Sequence, residues 1–540
     1  MANMLPPGTP NPLATIDNYR KQSATYFQYL RQGRIGEWRE LNNQQRARIW
    51  RKHQAHLGGI QAYTLDPQRH YHYGIPGSRG PDSGGRYGVY LDSFTDTLTG
   101  KMGAAKGGAL DVARVLRGHL GLRYRRMQGW GGNGVAVVFE YTPPGPLRRT
   151  KFCIAKMSYG AANNPRIQAA LQKEKRMMNT FDGSEHMVPE LDILANTPQP
   201  QQARHLTLIT PYYDRGNLGS VIKRADGYAI TSRTLWLIFD CLFQMVVALR
   251  YPPQHWSDHV AGNPRRERTV AATTPRTAAQ AAGISATAAW WKGCAEDWVH
   301  FDIDPSNIFV GDYDAAGPHS LVPALKLGDF GNTQDVNAVN DMAPHLLRRT
   351  RLLWESRLMG KDEWLTPEQF TSEWDYVRIS PKNATEPANI AANYSWKTNL
   401  YGIAMVMWCL ITRRSPPDGP CPEEMDIGGV PTWTFGNYLN DDYWGNTDAN
   451  LRELVAKCLC ENPADRPDML RIRFEINRAL RGPANGQWPG GEDDNTTRNG
   501  LEAQRLWRAY DIPGPRDGRR MQKWLAGKLN SFIGSNLKPR

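Results

Sequence analysis

The chemistry in this 540-residue sequence concentrates in two short segments. One reads His300-Phe301-Asp302-Ile303-Asp304-Pro305-Ser306-Asn307-Ile308-Phe309-Val310, and the other, further along, reads Leu327-Gly328-Asp329-Phe330-Gly331. Two acids and an amide at this separation can be brought together by a tight loop and a pair of strands. Asn307 and Asp329 offer hard oxygen atoms of the kind magnesium prefers, and Asp302 could accept a proton from a hydroxyl group. Pro305 and the apolar strand Ile308–Val310 would fix the geometry of the loop.

Upstream, Gly129-Trp130-Gly131-Gly132-Asn133-Gly134 matches G-x-G-x-x-G. In a chain with 50 glycines the match is weak by itself, and a plain hairpin turn is the bland reading. A dinucleotide fold needs a strand before the glycines and a helix after them. Here a second β-branched run, Val135–Tyr141, follows, so the glycines sit in a hairpin that could close over phosphates. Lys156 lies near the end of the next apolar run, Lys151–Met157. A buried ammonium there needs partners, and phosphates plus a carboxylate would serve. Glu174, in the helical run LQKEKRMM, is the candidate carboxylate. The ordinary alternatives are a solvated lysine at a strand end and a glutamate on a helix surface.

These residues need a scaffold, and the patterning supplies one. Strands are expected over Leu122–Met127, Val135–Tyr141 and Lys151–Met157, with a turn at 142–146. Helices are expected over Pro165–Phe181 and Leu235–Leu249. A small strand-rich region thus precedes a larger helical one, an α+β arrangement. The apolar runs Leu235–Leu249 and Leu400–Ile411 are shorter than a membrane span, and both read as buried helices. The Ala, Thr, Arg and Pro-rich stretch at about 252–297 reads as a disordered insertion. Residues 1–120 read as a basic extension, partly helical (Ile16 to about Leu57) and partly disordered (58–108). Residues 483–540 read as a tail with one short amphipathic candidate at Leu501–Tyr510.

Composition decides less. The net charge of +13 and pI near 9.3 suit nucleic acid or an anionic membrane, and equally a protein that binds phosphates or acidic partners. Residues 1–120 carry sixteen Lys and Arg against eight Asp and Glu, which leaves a nucleic-acid contact open for the extension. The seven cysteines are odd in number and scattered, and Cys458-Leu459-Cys460 lacks a second pair or a nearby histidine, so it does not read as a zinc site. They are expected to be reduced thiols. The N-terminus does not have the pattern of a signal peptide, and an intracellular location, cytoplasmic or nuclear, is expected.

The segments HFDIDPSN and LGDFG resemble the catalytic loop and the Asp-Phe-Gly segment of eukaryotic protein kinases. Further landmarks follow in the family's order. Thr210-Pro211-Tyr212-Tyr213-Asp214-Arg215-Gly216 resembles the end of the fifth strand and the hinge. The resemblance places Thr210 at the gatekeeper position and gives Pro211 and Tyr213 backbone groups for adenine, with Ala136 and Ile154 lining that pocket. Thr366-Pro367-Glu368 resembles the close of the activation segment, and Arg466 falls in the late motif whose arginine pairs with that glutamate. The likeness spans about 121–482. It implies a bilobal fold, with an antiparallel-sheet N-lobe at 121–213 and a mainly helical C-lobe at 214–482. The implied function is that of an ATP- and magnesium-dependent protein kinase of serine/threonine type. In it Lys156, paired with Glu174, and Gly129, Gly131 and Gly134 hold phosphates, Asn307 and Asp329 bind magnesium, and Asp302 is the base. Combined with the alanine-rich insertion, the loop segments also resemble kinase-like proteins of filamentous fungi.

The sequence departs from that family at several positions. Phe301 replaces the arginine that receives an activation-loop phosphate, so loop phosphorylation is not the expected switch. Asp304 replaces a lysine that reaches toward the γ-phosphate, and its charge is repulsive there unless a basic neighbour or a further cation offsets it. Ala136 and Ile154 differ from the usual valine and alanine in opposite senses of size, which would conserve pocket volume. Lys397 stands where the family has an aspartate supporting the catalytic loop. The segment Asp329–Glu368 is long and carries a basic run, Arg348–Arg351. Two rival functions follow: a pseudokinase scaffold or nucleotide-sensing module, and a small-molecule kinase of the aminoglycoside or choline type.

Overall fold

The computed structural model describes residues 122–131, 134–142, 151–157, 165–191, 207–225, 230–252, 295–314, 317–336, 356, 359–361, 364–370, 390–414, 416, 422–441, 444–482 and 506–508. The expectations for residues 1–120, for the tip of the glycine turn, for most of 142–146 and for Arg348–Arg351 lie outside them, as do Cys294 and Cys421.

Four strands form one antiparallel sheet in the order β1 (Arg123–Gly131), β2 (Gly134–Tyr141), β3 (Lys151–Met157) and β4 (Thr207–Pro211). Val137, Val138 and Phe139 of β2 and Cys153 and Ala155 of β3 are fully buried, as β-branched and small apolar residues in inner strands should be. β1 runs four residues beyond the expected end, because its pairing with β2 continues to Gly131 opposite Gly134. The glycine segment is therefore a strand-to-strand connection, as its lack of a following helix required.

Between β3 and β4 comes α1 (Pro165–Thr180). Leu171, Glu174 and Met178, with Phe181 just beyond, recur at steps of three and four and form its buried face. Glu174 occupies a core position of an amphipathic helix rather than its surface.

The helical part begins with α2 (Leu218–Arg224), capped by Asn217, whose side chain accepts from Ser220 N at 3.0 Å. The amide of the same Asn217 donates to Ser306 O at 3.0 Å, tying this helix start to the segment that bears Asn307. α3 (Ser232–Arg250), capped by Thr231, starts three residues before the expected boundary at Leu235. It is 19 residues long and apolar enough to cross a membrane by length and composition, but 78% of that stretch is enclosed by protein. It is a core helix. Glu296 N donates to Arg250 O at 2.8 Å, and Asp297 pairs with Arg250. Residues 295–297 thus dock on the end of α3, and residues 253–294 of the expected insertion lie outside the described residues.

Short antiparallel pairs then carry the polar segments: β5 (Trp298–Val299) pairs with β8 (Gln334–Asp335), and β6 (Ile308–Val310) with β7 (Leu325–Leu327). After the one-turn α4 (Pro367–Phe370) comes α5 (Trp396–Thr412), opened by a capping box of Ser395 and Thr398. Every residue from Thr398 to Thr412 is buried, so α5 is the axis on which α3 and α6 (Ala449–Cys458) pack, while α7 (Met469–Leu480) covers α3. Leu506 and Trp507, within the expected tail helix, are 2% and 4% exposed and join this core. Of the residues after 482, those described, 506–508, therefore pack on the body of the protein. Cys153, Cys241, Cys409, Cys458 and Cys460 are buried and form no disulfide.

Candidate active site

The inward placement of Glu174 on α1 has a direct consequence. Lys156 Nζ, on β3, donates to both Glu174 carboxylate oxygens at 2.9 and 2.8 Å and stands 3.0 Å from Asp329 Oδ1. Partial burial works against the charge of Lys156, but the carboxylates of Asp329 and Glu174 prevail and hold its pKa above the ordinary lysine value. Three residues far apart in sequence thus meet on one ammonium.

Asp329 has a left-handed backbone, φ 63°. For a non-glycine residue this costs about 1–2 kcal/mol. The turn that follows sends Phe330 inward, fully buried, with its ring centroid 5.3 Å from Phe181 and 5.5 Å from His300. The neighbouring Gly328 is required for contact, since an added Cβ would lie 2.9 Å from Val188 Cγ2.

His300 organises the preceding loop. Burial lowers its pKa to about 4, so the ring is neutral, and one tautomer satisfies both contacts. Its Nε2–H donates to Gly328 O at 3.2 Å, and Nδ1 accepts from Asp302 N at 3.3 Å. The two polar segments are thereby joined through one imidazole. Asn307 Nδ2 donates to Asp302 O at 2.8 Å and to Asp302 Oδ2 at 3.0 Å. Asp302 is 8% exposed, and its pKa is pushed up to about 7, chiefly by burial and with the charges of Asp304 and Asp329 adding, while Lys361 opposes the rise.

Lys361 answers the question posed by Asp304. Its ammonium pairs with Asp304 and lies 3.3 Å from Asp302 Oδ1. Asp304 also accepts from Ser306 N at 2.6 Å, so the acid is part of a local turn as well as an ion pair. Gly360 makes the approach possible: its φ is +90°, and an added Cβ would collide with Phe301 O. The sequence reading missed Lys361 because it lies 57 residues from Asp304. The signal available was only a Gly-Lys pair inside the Asp329–Glu368 segment.

Phe301 also has a left-handed backbone, φ 60°, and its ring meets Tyr394 edge-on at 5.0 Å. An apolar plug fills the position expected to differ from the kinase pattern. The support of the loop comes from Asn399, also missed. Its side chain accepts from His300 N at 2.9 Å and donates to Trp298 O at 2.7 Å. Lys397 points elsewhere, donating to Ala464 O at 3.1 Å and Arg466 O at 2.9 Å. Beneath the loop, Glu368 and Arg466 form two hydrogen bonds at 2.7 and 2.9 Å, with both side chains 0% exposed. Thr398 adds a third bond to Glu368 at 2.9 Å.

The remaining candidates line the sheet side. Ala136 is opposite Lys156 in the β2–β3 pairing, and Ile154 is opposite Thr210 in the β3–β4 pairing. Ala136, Ile154, Thr210, Pro211 and Tyr213 are all half-buried. The Tyr213 ring stacks on Phe309 at 5.5 Å, and its carbonyl accepts from Gly216 N at 3.1 Å, closing the turn after β4. Gly129, Gly131 and Gly134 lie at the β1–β2 end, next to the pair Ala136 and Lys156.

No protein-family model matches the chain. Among curated proteins it is similar to mitogen-activated protein kinase kinase kinase 7 of Bos taurus, of Mus musculus and of Homo sapiens. Each is 23% identical over 186 residues, which is 34% of this chain and 24% of the bovine and mouse relatives and 23% of the human one. The match thus spans about a quarter of the length of those relatives. This distant, partial likeness to a protein kinase supports describing the chain as kinase-like, and no finer assignment than that.

Proposed function

We propose that this chain is a two-lobed protein kinase of serine/threonine type that transfers the γ-phosphoryl group of ATP to protein hydroxyls. The observation that carries the reading is the meeting of Lys156, Glu174 and Asp329, joined to the Asp302–Asn307 pair through Gly328 and His300. The donor set fits magnesium nucleotide. With Nδ2 of Asn307 committed to Asp302, the polar atom left on that side chain is a carbonyl oxygen, the donor type magnesium takes. Magnesium would supply neutralisation of the charge that develops on transfer.

The chain's own residues do the rest. Lys156, fixed by Glu174, holds phosphate charge; Asn307 and Asp329 hold the metal. Asp302, kept in place by Asn307 and by His300, orients the substrate hydroxyl and accepts its proton, a role suited to a carboxyl near pKa 7 at neutral pH. Lys361 offsets the carboxylates of Asp302 and Asp304 and adds a positive charge beside the attacking group. Gly129, Gly131 and Gly134 close over phosphates, while Ala136, Ile154, Thr210, Pro211 and Tyr213 surround adenine. The lobes divide at about residue 213, an intracellular location accords with the substrate, and the loop segments resemble those of fungal kinase-like proteins.

The rival reading is a nucleotide-binding scaffold without transfer. Its sequence grounds were Asp304 and Lys397, and both are weakened by Lys361 and Asn399. The test is transfer of labelled γ-phosphate from Mg-ATP to a generic protein and to the chain itself, comparing wild type with Asp302→Asn. Label lost in the variant supports catalysis. No label from a folded, nucleotide-binding wild type would move the assignment to the scaffold.

A further inference from the structure

A second group of chemically competent side chains lies away from the site described above. Cys241 of α3, His186 in the turn after α1, and His319 in the connection between β6 and β7 are 2%, 1% and 4% exposed. One donor atom from each lies within 4.8 Å of the others. Among the described residues no other group of three or more such side chains meets in this way.

The orientation of the two imidazoles is what points to a metal. His186 Nδ1 is 2.9 Å from Leu325 O, so it carries the proton and donates it, which leaves Nε2 with a lone pair. That Nε2 is buried without a hydrogen-bond partner. His319 is held in the mirror sense: Nε2 lies 3.2 Å from Glu185 Oε1, and Nδ1 faces Cys241 Sγ at 3.8 Å. The His186 ring is thus fixed on its far nitrogen by a carbonyl, the His319 ring has the Glu185 carboxylate beside its far nitrogen, and each turns its other nitrogen inward. Histidines that bind metals are oriented in this way by a carbonyl or a carboxylate behind them. In a tetrahedral zinc site sulfur and nitrogen ligands stand about 3.5 Å apart, so the 3.8 Å pair needs almost no movement.

We infer that Cys241, His186 and His319 form a buried zinc site, with the fourth position left to water or another small donor. Nitrogen and thiolate ligands in a tetrahedral set suit zinc rather than magnesium or calcium. Such an ion would join three parts of the chain: the turn after α1, the core helix α3 and the β6–β7 hairpin. The connection reaches the candidate active site, because His186 O accepts from Leu327 N at 2.9 Å, one residue before Gly328. The role inferred is structural, and it does not depend on whether the chain transfers phosphate.

The experiment is metal analysis of the tag-free full chain, followed by cobalt(II) titration after chelation. Wild type should carry about one zinc per chain, and its melting temperature should rise when zinc is restored to the stripped protein. Cobalt should give a sulfur-to-cobalt charge-transfer band, retained in a Cys458→Ser/Cys460→Ser double variant and lost in Cys241→Ser. Where Cys241→Ser fails to fold, the band in the double variant decides alone. A folded wild type with no zinc, no melting shift and no band overturns the site, as does zinc retained at full occupancy by a folded Cys241→Ser.

Discussion

The ammonium of Lys361 pairs with the carboxylate of Asp304 and at the same time stands 3.3 Å from Asp302 Oδ1. A cation that the kinase-like loop lacks at residue 304 is therefore supplied by a distant segment, held there by the backbone of Gly360. Both carboxylates raise the pKa of Lys361 against the opposing effect of burial, so it stays charged.

Lys361→Met should lower phosphotransfer by about 10²-fold, the scale of losing one preorganised charge beside the reacting group. Nucleotide affinity should change by less than about threefold, because the proposed mechanism gives the phosphates to Lys156 rather than to Lys361. Steady-state kinetics beside a binding titration separate these effects. Full activity in the variant would remove Lys361 from the mechanism.

Asn399→Leu leaves His300 N and Trp298 O buried without their side-chain partner. The expected loss is about 2–4 kcal/mol, from two unsatisfied backbone groups. Lys397→Met should cost less, since its bond to Ala464 O is exposed and its bond to Arg466 O only partly buried, so water can replace the ammonium. Urea unfolding of both variants checks the order, and a larger loss for Lys397→Met would contradict the support assigned to Asn399.

Arg466→Ala strands the fully buried Glu368 carboxylate and should cost about 3–5 kcal/mol. Adding Glu368→Gln removes the stranded charge and should recover part of that loss. Chemical denaturation of the single and double variants measures the coupling. Simple additivity of the two substitutions would show that the pair does not act as a unit.

His300 gives a pH dependence with a defined sign. Its folded-state pKa, about 4, lies below the ordinary value of about 6.5, so between those values the unfolded chain binds a proton that the folded one does not. Stability from this group is intact above pH 6.5 and falls as pH drops toward 4, by about 1.4 kcal/mol per unit at most. His300→Asn should flatten that part of the stability curve. An unchanged slope in the variant would assign the loss to other groups.

Much of this was legible in the sequence, for a physical reason. Strand and helix periods are local, so β2, β3 and α1 appear close to their expected bounds, and α3 begins three residues early, at the helix start set by the cap Thr231. The pairing of Glu368 with Arg466 was legible as well, because each sits in a recognisable short motif. Charge substitutions were harder to read. Asp304 and Lys397 looked like defects when each was compared with a pattern one position at a time.

Only the tertiary structure could show that Lys361 neutralises Asp304 and that Asn399 does the work expected at residue 397. The same holds for Cys241, His186 and His319, whose spacing of 55 and 78 residues matches no local ligand pattern. Sequence determined which residue types were present and how each segment would coil or extend. Folding decided which charges meet and which lone pairs are buried together, because such encounters depend on how helices and hairpins pack, and packing has no period in the chain.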